Sequence, residues 1–341
     1  MTLLRTLPLL ALLLLAVPAV SQAWIRMPAT TFATLPAGTH NPEGITADRH
    51  GNVYVTTFDV TRTSGPGDLL VFHRSGRLLQ RVGVAGSSNL LLDLAFHPVT
   101  GVLLVIDFGN KQVLTVDPRT GDSSVFATIP GGAAAGPNAL TFDHAGNVYI
   151  SDSFQGTIWR TAPGGGDPTA WATDELLATT GVPPFGANGL VFNNAGSTLF
   201  VCNTGDDTVV QIPVGAGGDA GTPSVFVNSV NGCDGLIIDE DDNFWIAANQ
   251  ADEIVVLNPS GRVIAKLGDF NGLDPRGAPR GLLFPASLVR SGPFIYVTNL
   301  SLDLRLFGLP QTVDSQWAAR VRRHTVAKIP ARIPPVPGLK K

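Results

Sequence analysis

Two things are scarce in this chain of 341 residues: cysteine, with two residues, and charge, with Asp, Glu, Lys and Arg together at 15%. Low charge combined with 44% hydrophobic residues excludes a chain that is disordered throughout, because such a composition can bury a large core. The two cysteines, Cys202 and Cys233, allow at most one disulfide. Their spacing leaves that bridge and a pair of buried thiols both open.

Beyond its N-terminus the sequence has no apolar run long enough to cross a bilayer. The first 23 residues predict a cleaved signal peptide: Arg5 supplies the positive charge, residues 7–20 are apolar, and residues 21–23 provide small side chains for cleavage. A membrane anchor is disfavoured, since an apolar run of this length is short of the roughly 20 residues that a span needs. We therefore expect export to a periplasmic or extracellular location.

Charge is distributed unevenly along the chain. Residues 24–309 hold 15 Lys and Arg against 26 Asp and Glu, a net charge of −11, whereas residues 310–341 hold seven bases and one acid. An acidic body disfavours nucleic acid as a partner, because phosphate backbones attract the opposite sign. We expect a monomeric folded body over residues 24–309 that binds a small molecule. Residues 310–341 are expected to form a flexible, basic, Pro-containing tail.

A short pattern that occurs six times supplies the main structural signal. Each copy has a polar leading residue, a short apolar strand, a turn and a second strand, with copies roughly 45–50 positions apart. Repeats of this length built from short strands are typical of a β-propeller, in which each repeat forms one radial four-stranded blade. The sequence predicts an all-β, six-bladed β-propeller. The leading residues are Glu43, Asp93, Asn138, Asn188, Asp234 and Arg280.

The sixth copy is one strand short. Its strands are predicted to begin at Arg280 and to continue over residues 294–298 and 303–307, which leaves the outer position open. Residues 31–36 closely match the outer-strand segment 125–130 and follow no inner strands. We expect this N-terminal strand to complete the last blade and close the ring, since closure removes an exposed sheet edge.

Two rings of side chains should meet at one end of the channel. Equivalent positions of the innermost strands face the centre of a propeller, so the six leading residues are expected to converge there. The residues that end the second strands, among them Asp107, Asp152 and Asn203, should lie on the same face. For these three, hydrogen bonding within local turns is the competing interpretation.

The inner ring is rich in oxygen donors. Carboxylates packed into a narrow channel need a cation or protons to compensate them. Glu43, Asn188 and Asp234, with Asn138 nearby, offer the carboxylate and amide oxygens that Ca²⁺ prefers. The ring has no Cys or His, which disfavours a structural zinc site. We predict a divalent cation, with Ca²⁺ as the first choice.

The motifs resemble those of the senescence-marker-protein/gluconolactonase family of six-bladed propellers. The resemblance covers residues 31–309 and rests on Pro42-Glu43-Gly44, Pro137-Asn138, Ala187-Asn188-Gly189 and Cys233-Asp234-Gly235. It implies that Glu43, Asn188 and Asp234 bind a divalent cation, usually calcium, and that Asn138 contacts substrate or metal. Gluconolactonases often have Arg where this chain has Gly136, so the resemblance leaves the substrate open.

The ring and the resemblance together predict a hydrolase of lactones or related esters. In this hypothesis Asp234 is a metal ligand and also the base or nucleophile, with Asn138 beside it as a catalytic residue. Substrate contacts are assigned to Asn138, Asp107 and Asn203. Two alternatives stay open. One is a non-catalytic, NHL-like propeller that binds a protein or glycan and uses the metal structurally; the other is a strictosidine-synthase-like propeller that forms carbon–nitrogen bonds.

Overall fold

Nearly all regular structure in the described part of the chain is β-strand. The computed structural model describes residues 26–309 and 314–335. The expected signal peptide and the last residues of the expected tail lie outside these ranges. No helix within them is long and apolar enough to cross a membrane.

The strands are numbered in chain order. The first thirteen are β1 (Thr30–Thr34), β2 (Pro42–Ala47), β3 (Val53–Thr57), β4 (Asp68–Phe72), β5 (Leu78–Gly83), β6 (Leu91–Phe96), β7 (Leu103–Asp107), β8 (Gln112–Val116), β9 (Ser123–Thr128), β10 (Pro137–Phe142), β11 (Val148–Asp152), β12 (Thr157–Thr161) and β13 (Thr169–Thr173). The others are β14 (Ala187–Phe192), β15 (Thr198–Asn203), β16 (Thr208–Pro213), β17 (Ser224–Val227), β18 (Cys233–Ile238), β19 (Phe244–Ala248), β20 (Glu253–Leu257), β21 (Val263–Leu267), β22 (Phe270–Leu273), β23 (Pro279–Gly281), β24 (Pro285–Ser291), β25 (Phe294–Asn299) and β26 (Thr325–Pro330). The described helices are short: 3₁₀ turns at Gly132–Ala134, Glu175–Leu177 and Leu304–Phe307, and α1 (Ser315–Ala318).

Six four-stranded antiparallel sheets form the blades. Blades one to five each take four consecutive strands, from β2–β5 through β18–β21, in the order in which they occur along the chain. The first strands of neighbouring blades contact one another in a closed ring around the channel. The prediction of an all-β, six-bladed propeller is confirmed.

Local hydrogen bonds fix the inner hairpins. In blade one, Asp48 Oδ1 accepts the N–H groups of His50 at 2.8 Å and of Asn52 at 2.9 Å. Gly51 in the same turn has a positive φ of 80°, which glycine adopts without steric cost. Asp143 accepts the same two kinds of bond in blade three. These turns set the loop length, and therefore the register in which the second strand returns towards the channel.

The core lies between the faces of neighbouring blades. The second strands β7, β11 and β19 are buried along their whole length. Tyr149 of β11 shows the packing: its ring meets Trp171 of its own blade at 5.1 Å and Phe192 of the next blade at 4.9 Å between centroids. Such edge-to-face contacts hold adjacent sheets at a fixed angle, and so position the inner strands.

Blade six differs from the sequence prediction. Its strands run from channel to rim as β24, β25, β26 and β1. The predicted inner start, Arg280, lies in the separate β22–β23 hairpin, and the predicted third strand at 303–307 contains a 3₁₀ helix instead. The third strand is β26, which the sequence suggests is part of the tail. Strand β1 pairs with β26 from Thr30 opposite Lys328 to Thr34 opposite Thr325, in the outer position of the sheet.

A disulfide joins blades four and five. Cys202 in β15 and Cys233 in β18 are bridged with their Cα atoms 5.4 Å apart, and both residues are fully buried. The structure thus selects the bridge over two free thiols. Because Cys233 directly precedes Asp234, the bridge anchors the backbone of one candidate ligand to the neighbouring blade.

Two carboxyl groups face each other where the segment before β26 meets the turn between β19 and β20. Burial raises the pKa of Asp252, and the nearby charge of Asp314 raises it further; burial also raises the pKa of Asp314. The N–H of Phe284 donates to Asp252 Oδ1 at 2.7 Å. Asp314 Oδ2 is buried without a hydrogen-bond partner. Protonation of at least one of the two carboxyl groups is therefore favoured at this contact.

We expect this pair to make the folded state less stable as pH rises. The raised pKa means that the folded protein keeps a proton that the unfolded chain has released. Its contribution is full below the ordinary carboxyl pKa near 4 and is lost as pH approaches about 8. Asp252→Asn should flatten this decline by on the order of 1 kcal/mol, since Asn tolerates the φ of 53° found there. Urea unfolding at pH 5 and pH 8.5 measures the free energy of unfolding of the natural protein and of the variant. If this free energy falls equally in both proteins between the two pH values, the prediction is wrong.

Candidate metal centre

Six β-bulges create the inner ring. In every blade the register between the first and second strands shifts just after the first strand begins, as it does between Pro42 and Ile45 in blade one. A bulge re-aims the side chain that it carries, and the bulged residue of each blade lies at the same end of the channel. These residues are Glu43, Leu92, Asn138, Asn188, Asp234 and Ala286.

Four of the six predicted leading residues therefore occupy the ring, and two do not. In blade two the ring position belongs to Leu92, and Asp93 is the next residue. Asp93 Oδ2 accepts the N–H of Leu140 at 3.0 Å, and its side chain lines a neighbouring channel cavity of about 200 Å³, which Glu43, Asn138 and Asn188 also line. In blade six the position belongs to Ala286 rather than to Arg280. The ring thus has four polar and two apolar members.

The residue after each polar ring member is small because the next blade lies against it. A Cβ atom on Gly44 would lie 2.4 Å from the carbonyl oxygen of Leu92, and one on Gly189 would lie 2.5 Å from that of Asp234. Glycine lets the inner strands approach this closely. The Glu-Gly and Asn-Gly motifs therefore follow from the narrowness of the channel, which also brings the ring side chains together.

Hydrogen bonds orient both amides of the ring. Asn138 Nδ2 donates to Ser153 Oγ at 3.0 Å, and Asn188 Nδ2 donates to Thr204 Oγ1 at 2.9 Å. Thr204 Oγ1 donates in turn to the carbonyl oxygen of Cys233 at 2.7 Å. Because each amide donates through its nitrogen, its carbonyl oxygen is the end left to act as a ligand.

The two carboxylates of the ring are held differently. Asn249 Nδ2 donates to Asp234 Oδ2 at 2.9 Å. Glu43 Oε2, in contrast, is buried without any hydrogen-bond partner. Burial raises the pKa of Glu43 well above its ordinary value, and the charges of Asp234 and Asp93 raise it further. Burial likewise raises the pKa of Asp234 to about 7. Without a cation, protons must therefore compensate these two carboxylates.

A divalent cation fits this donor set. Glu43, Asp234, Asn138 and Asn188 present carboxylate and amide oxygens around one cavity of about 40 Å³. This is room for an ion and about two waters, and Ca²⁺ takes six to eight such oxygens when waters complete its shell. No group of three or more His, Cys, Asp or Glu that could hold a metal occurs within residues 26–309 and 314–335. The amide oxygens are therefore essential members of the proposed site.

The remaining wall of the cavity is apolar. Phe58 from blade one and Phe284 before blade six flank the ring, and the segment that follows β25 covers it. The residues that line this side are Phe58, Leu92, Pro183, Phe185, Phe284, Leu300, Leu302 and Leu304. The site is consequently two-sided, with oxygen donors on one side and hydrocarbon on the other.

Asp107 and Asn203 do not line this cavity. Asp107 Oδ2 accepts from Ser88 N at 3.1 Å and from Asn110 Nδ2 at 2.8 Å. Asn203 Nδ2 donates to the carbonyl oxygens of Leu176 and Ala178 at 2.9 and 2.8 Å. Their polar atoms bond to turns and loops. This agrees with the interpretation as local hydrogen bonding rather than as substrate contacts. Asp152 makes bonds of the same kind, among them one from Gly136 N at 2.9 Å.

The hydrogen-bond partners of the polar ring lie one residue further along blades three, four and five. Ser153, Thr204 and Asn249 directly follow β11, β15 and β19, and they are the partners of Asn138, Asn188 and Asp234. The sequence signal for them is a Ser, Thr or Asn one position beyond the end of the second strand. The sequence prediction centred on the last strand residue and assigned them no role.

Comparison with known proteins identifies the family. A family model described as SMP-30/gluconolactonase/LRE-like region matches residues 95–268, slightly more than half of the chain. The chain belongs to this family. The matched range includes Asn138, Asn188 and Asp234, so the resemblance recognised in their motifs is confirmed. No curated protein matches the chain in sequence.

Solved structures share the fold of this SMP-30/gluconolactonase family member at low identity. The calcium-binding protein regucalcin from Agrobacterium tumefaciens aligns with a TM-score of 0.61 and 18% identity over 92% of this chain and 99% of its own. A putative gluconolactonase gives 0.61 and 18% over 92% and 94%. A luciferin-regenerating enzyme gives 0.62 and 16% over 89% and 96%. These identities establish a common fold.

Proposed function

We propose that this protein is a metal-dependent hydrolase of lactones or related esters, with Ca²⁺ at the end of the channel. The observation that carries the proposal is the buried, unpartnered Glu43 Oε2, which shares a cavity with Asp234, Asn138 and Asn188. Membership of the SMP-30/gluconolactonase/LRE-like family supports lactone chemistry. The calcium-binding description of the regucalcin neighbour supports the choice of ion.

Each ring residue has a defined part in this proposal. Glu43, Asn188 and Asp234 hold the cation, and Asn138 orients the substrate through its amide. When bound, the cation would polarise the substrate carbonyl and offset the negative charge that develops on its oxygen. In this proposal Asp234, which accepts a hydrogen bond from Asn249, takes a proton from the attacking water and returns it to the leaving alkoxide oxygen as the acyl C–O bond breaks. The apolar wall excludes bulk water, which strengthens the electrostatic interactions inside.

A substrate panel with metal control tests this function. Metal-stripped protein is incubated with lactones, carboxylic esters and phosphotriesters, each with Ca²⁺ and with excess chelator. We expect calcium-dependent opening of at least one lactone or ester, abolished by the chelator. A protein that binds calcium stoichiometrically yet turns over none of the panel contradicts a hydrolase and supports the non-catalytic alternative.

We also propose that the mature protein works outside the cytoplasm. The signal-like sequence at residues 1–23 motivates this proposal. The buried Cys202–Cys233 disulfide supports it, because such bridges persist in oxidising compartments. N-terminal sequencing of protein recovered from the periplasm or medium tests it; an intact N-terminus on protein found only in the cytoplasm contradicts it.

A further inference from the structure

Blade six has the longest connection between its second and third strands. In blades two to five, four residues join these strands, for example 108–111 and 249–252, and in blade one the connection is residues 58–67. In blade six the corresponding connection runs from residue 300 to residue 324. Residues 300–309, which we call the cover segment, lie over the end of the channel that holds the polar ring.

The inner surface of the cover segment is hydrocarbon. Leu300, Leu302 and Leu304 are each at most 5% exposed, and all three line the cavity opposite the ring. On the outer side, Leu306 is 64% exposed. The leucines on the inner side therefore form part of the binding wall.

The cover segment is tied down at both of its ends. Asn41 Nδ2 donates to the carbonyl oxygen of Leu300 at 2.9 Å. The ring of Phe307 stacks on Phe58, with 6.4 Å between centroids. Asp303 accepts the N–H of Arg305 at 3.1 Å, which caps the 3₁₀ turn. These contacts place Leu302 and Leu304 in a defined position over the ring.

The polar groups of the cavity are confined to one side. None of its lining residues is Lys, Arg or His, and its polar side chains all belong to the polar ring and its hydrogen-bond partners. Gly136 stands where gluconolactonases often have Arg, and a Cβ there would lie 2.7 Å from the ring of Phe154. Each sugar hydroxyl buried against leucine without a partner is disfavoured several-fold or more.

We propose that the cavity takes a lactone or ester bearing a hydrocarbon substituent, and that Leu302 and Leu304 select for it. The carbonyl group of the ligand lies towards the polar ring, while the substituent lies against Leu302 and Leu304 of the cover segment. This inference rests on the proposed hydrolase function and specifies its substrate class.

Three δ-lactones that differ in one feature test the proposal with calcium-loaded protein. These are δ-valerolactone, δ-decalactone, which adds a pentyl chain, and glucono-δ-lactone, which adds hydroxyl groups. Each buried methylene is worth about fourfold, so kcat/KM for δ-decalactone should exceed that for δ-valerolactone by about 10- to 100-fold. Glucono-δ-lactone should be the poorest of the three. A preference for it, or no preference for the pentyl chain, overturns the proposal.

Variants of the cover segment locate the selectivity. Leu302→Asn should reduce the δ-decalactone to δ-valerolactone ratio by about tenfold or more. Leu304→Ala, a milder change, should move the optimum towards longer alkyl chains because it enlarges the cavity. Leu306→Ala, on the exposed side, is the matched control and should leave the ratio unchanged. Equal ratios in all three variants overturn the role of these leucines.

A binding measurement separates this proposal from the proposed function. The lactams that correspond to δ-valerolactone and δ-decalactone are not hydrolysed, and calorimetry measures their affinity directly. Tighter binding of the pentyl lactam without turnover of any lactone supports the ligand class and contradicts the hydrolase. Turnover of lactones with equal affinity for both lactams supports the hydrolase and contradicts the ligand class. If no lactone is turned over and the pentyl lactam binds no more tightly, both proposals are overturned.

Discussion

Replacing Asp234 by Asn is expected to lower kcat/KM for the preferred lactone by about 100- to 1,000-fold at saturating Ca²⁺. The change keeps the side-chain shape and leaves an oxygen for the hydrogen bond from Asn249 Nδ2, which is 2.9 Å long. It removes the negative charge and the proton acceptor, and losses of this size follow removal of one preorganised electrostatic group. Steady-state kinetics of purified protein, with calcium varied at each substrate concentration, measures it.

Asp93→Asn is the matched control for this experiment. Asp93 is also a buried carboxyl group with its pKa raised to about 7 by burial, and it lines the neighbouring cavity inside the channel. An Asn at this position retains an oxygen to accept the N–H of Leu140. The control should lose far less activity than Asp234→Asn, because Asp93 acts on Glu43 and Asp234 through its charge alone. Full activity in Asp234→Asn, or an equal loss in both variants, contradicts the assignment of Asp234.

The Glu43→Gln variant is expected to be at least as stable as the natural protein without calcium, and less stable than it with calcium. Without metal, the variant should be at least as stable as the natural protein, because it removes a buried charge that has no partner and faces Asp234. With calcium at about 100 times its dissociation constant, the natural protein should gain about 2.7 kcal/mol. The variant should gain much less. Thermal unfolding with calcium or chelator measures both effects.

Glu253→Gln separates this effect from a general cost of losing a buried acid. Glu253 is buried in blade five and pairs with Lys266 at 2.6 Å and with Arg26 at 2.9 Å. Its loss should lower the melting temperature with and without metal, while the calcium-dependent rise persists. If Glu43→Gln keeps the full rise as well, Glu43 is not a ligand.

The blade count and most of the ring could be predicted because they depend on local sequence. Each polar ring residue is the second residue of an inner strand, and three of the four precede Gly in the pattern that the narrow channel imposes. A bulge occurs at the same point in every blade, so one correct position predicts the others. The repeat pattern is therefore sufficient to predict both the fold and the polar half of the site.

The apolar half was missed because the prediction required a polar leading residue. In Leu91-Leu92-Asp93-Leu94 the polar residue lies one position beyond the bulge, and a shift of one residue sends a side chain to a different cavity. In blade six the ring residue is the apolar Ala286, and the requirement for a polar residue pointed instead to Arg280 in the nearby β22–β23 hairpin. Polarity alone is therefore a poor guide to register in a ring with mixed members.

The cover segment and the third strand of blade six depend on long-range contacts. Strand β26 follows an excursion from residue 300 to residue 324, and it is inserted between β25 and β1. Nothing in its own residues marks it as blade six, because its partners lie far along the chain. The same holds for Leu302 and Leu304, which meet the ring only after the sheet has formed.

A crystal structure of the protein grown with Ca²⁺ tests the central claim most directly. We expect one ion at the end of the channel, bound by oxygens of Glu43, Asn188 and Asp234 at about 2.3–2.6 Å, with Asn138 and water completing its surroundings. A calcium ion bound elsewhere, or a ring that stays free of metal in protein that hydrolyses a lactone, would contradict the account.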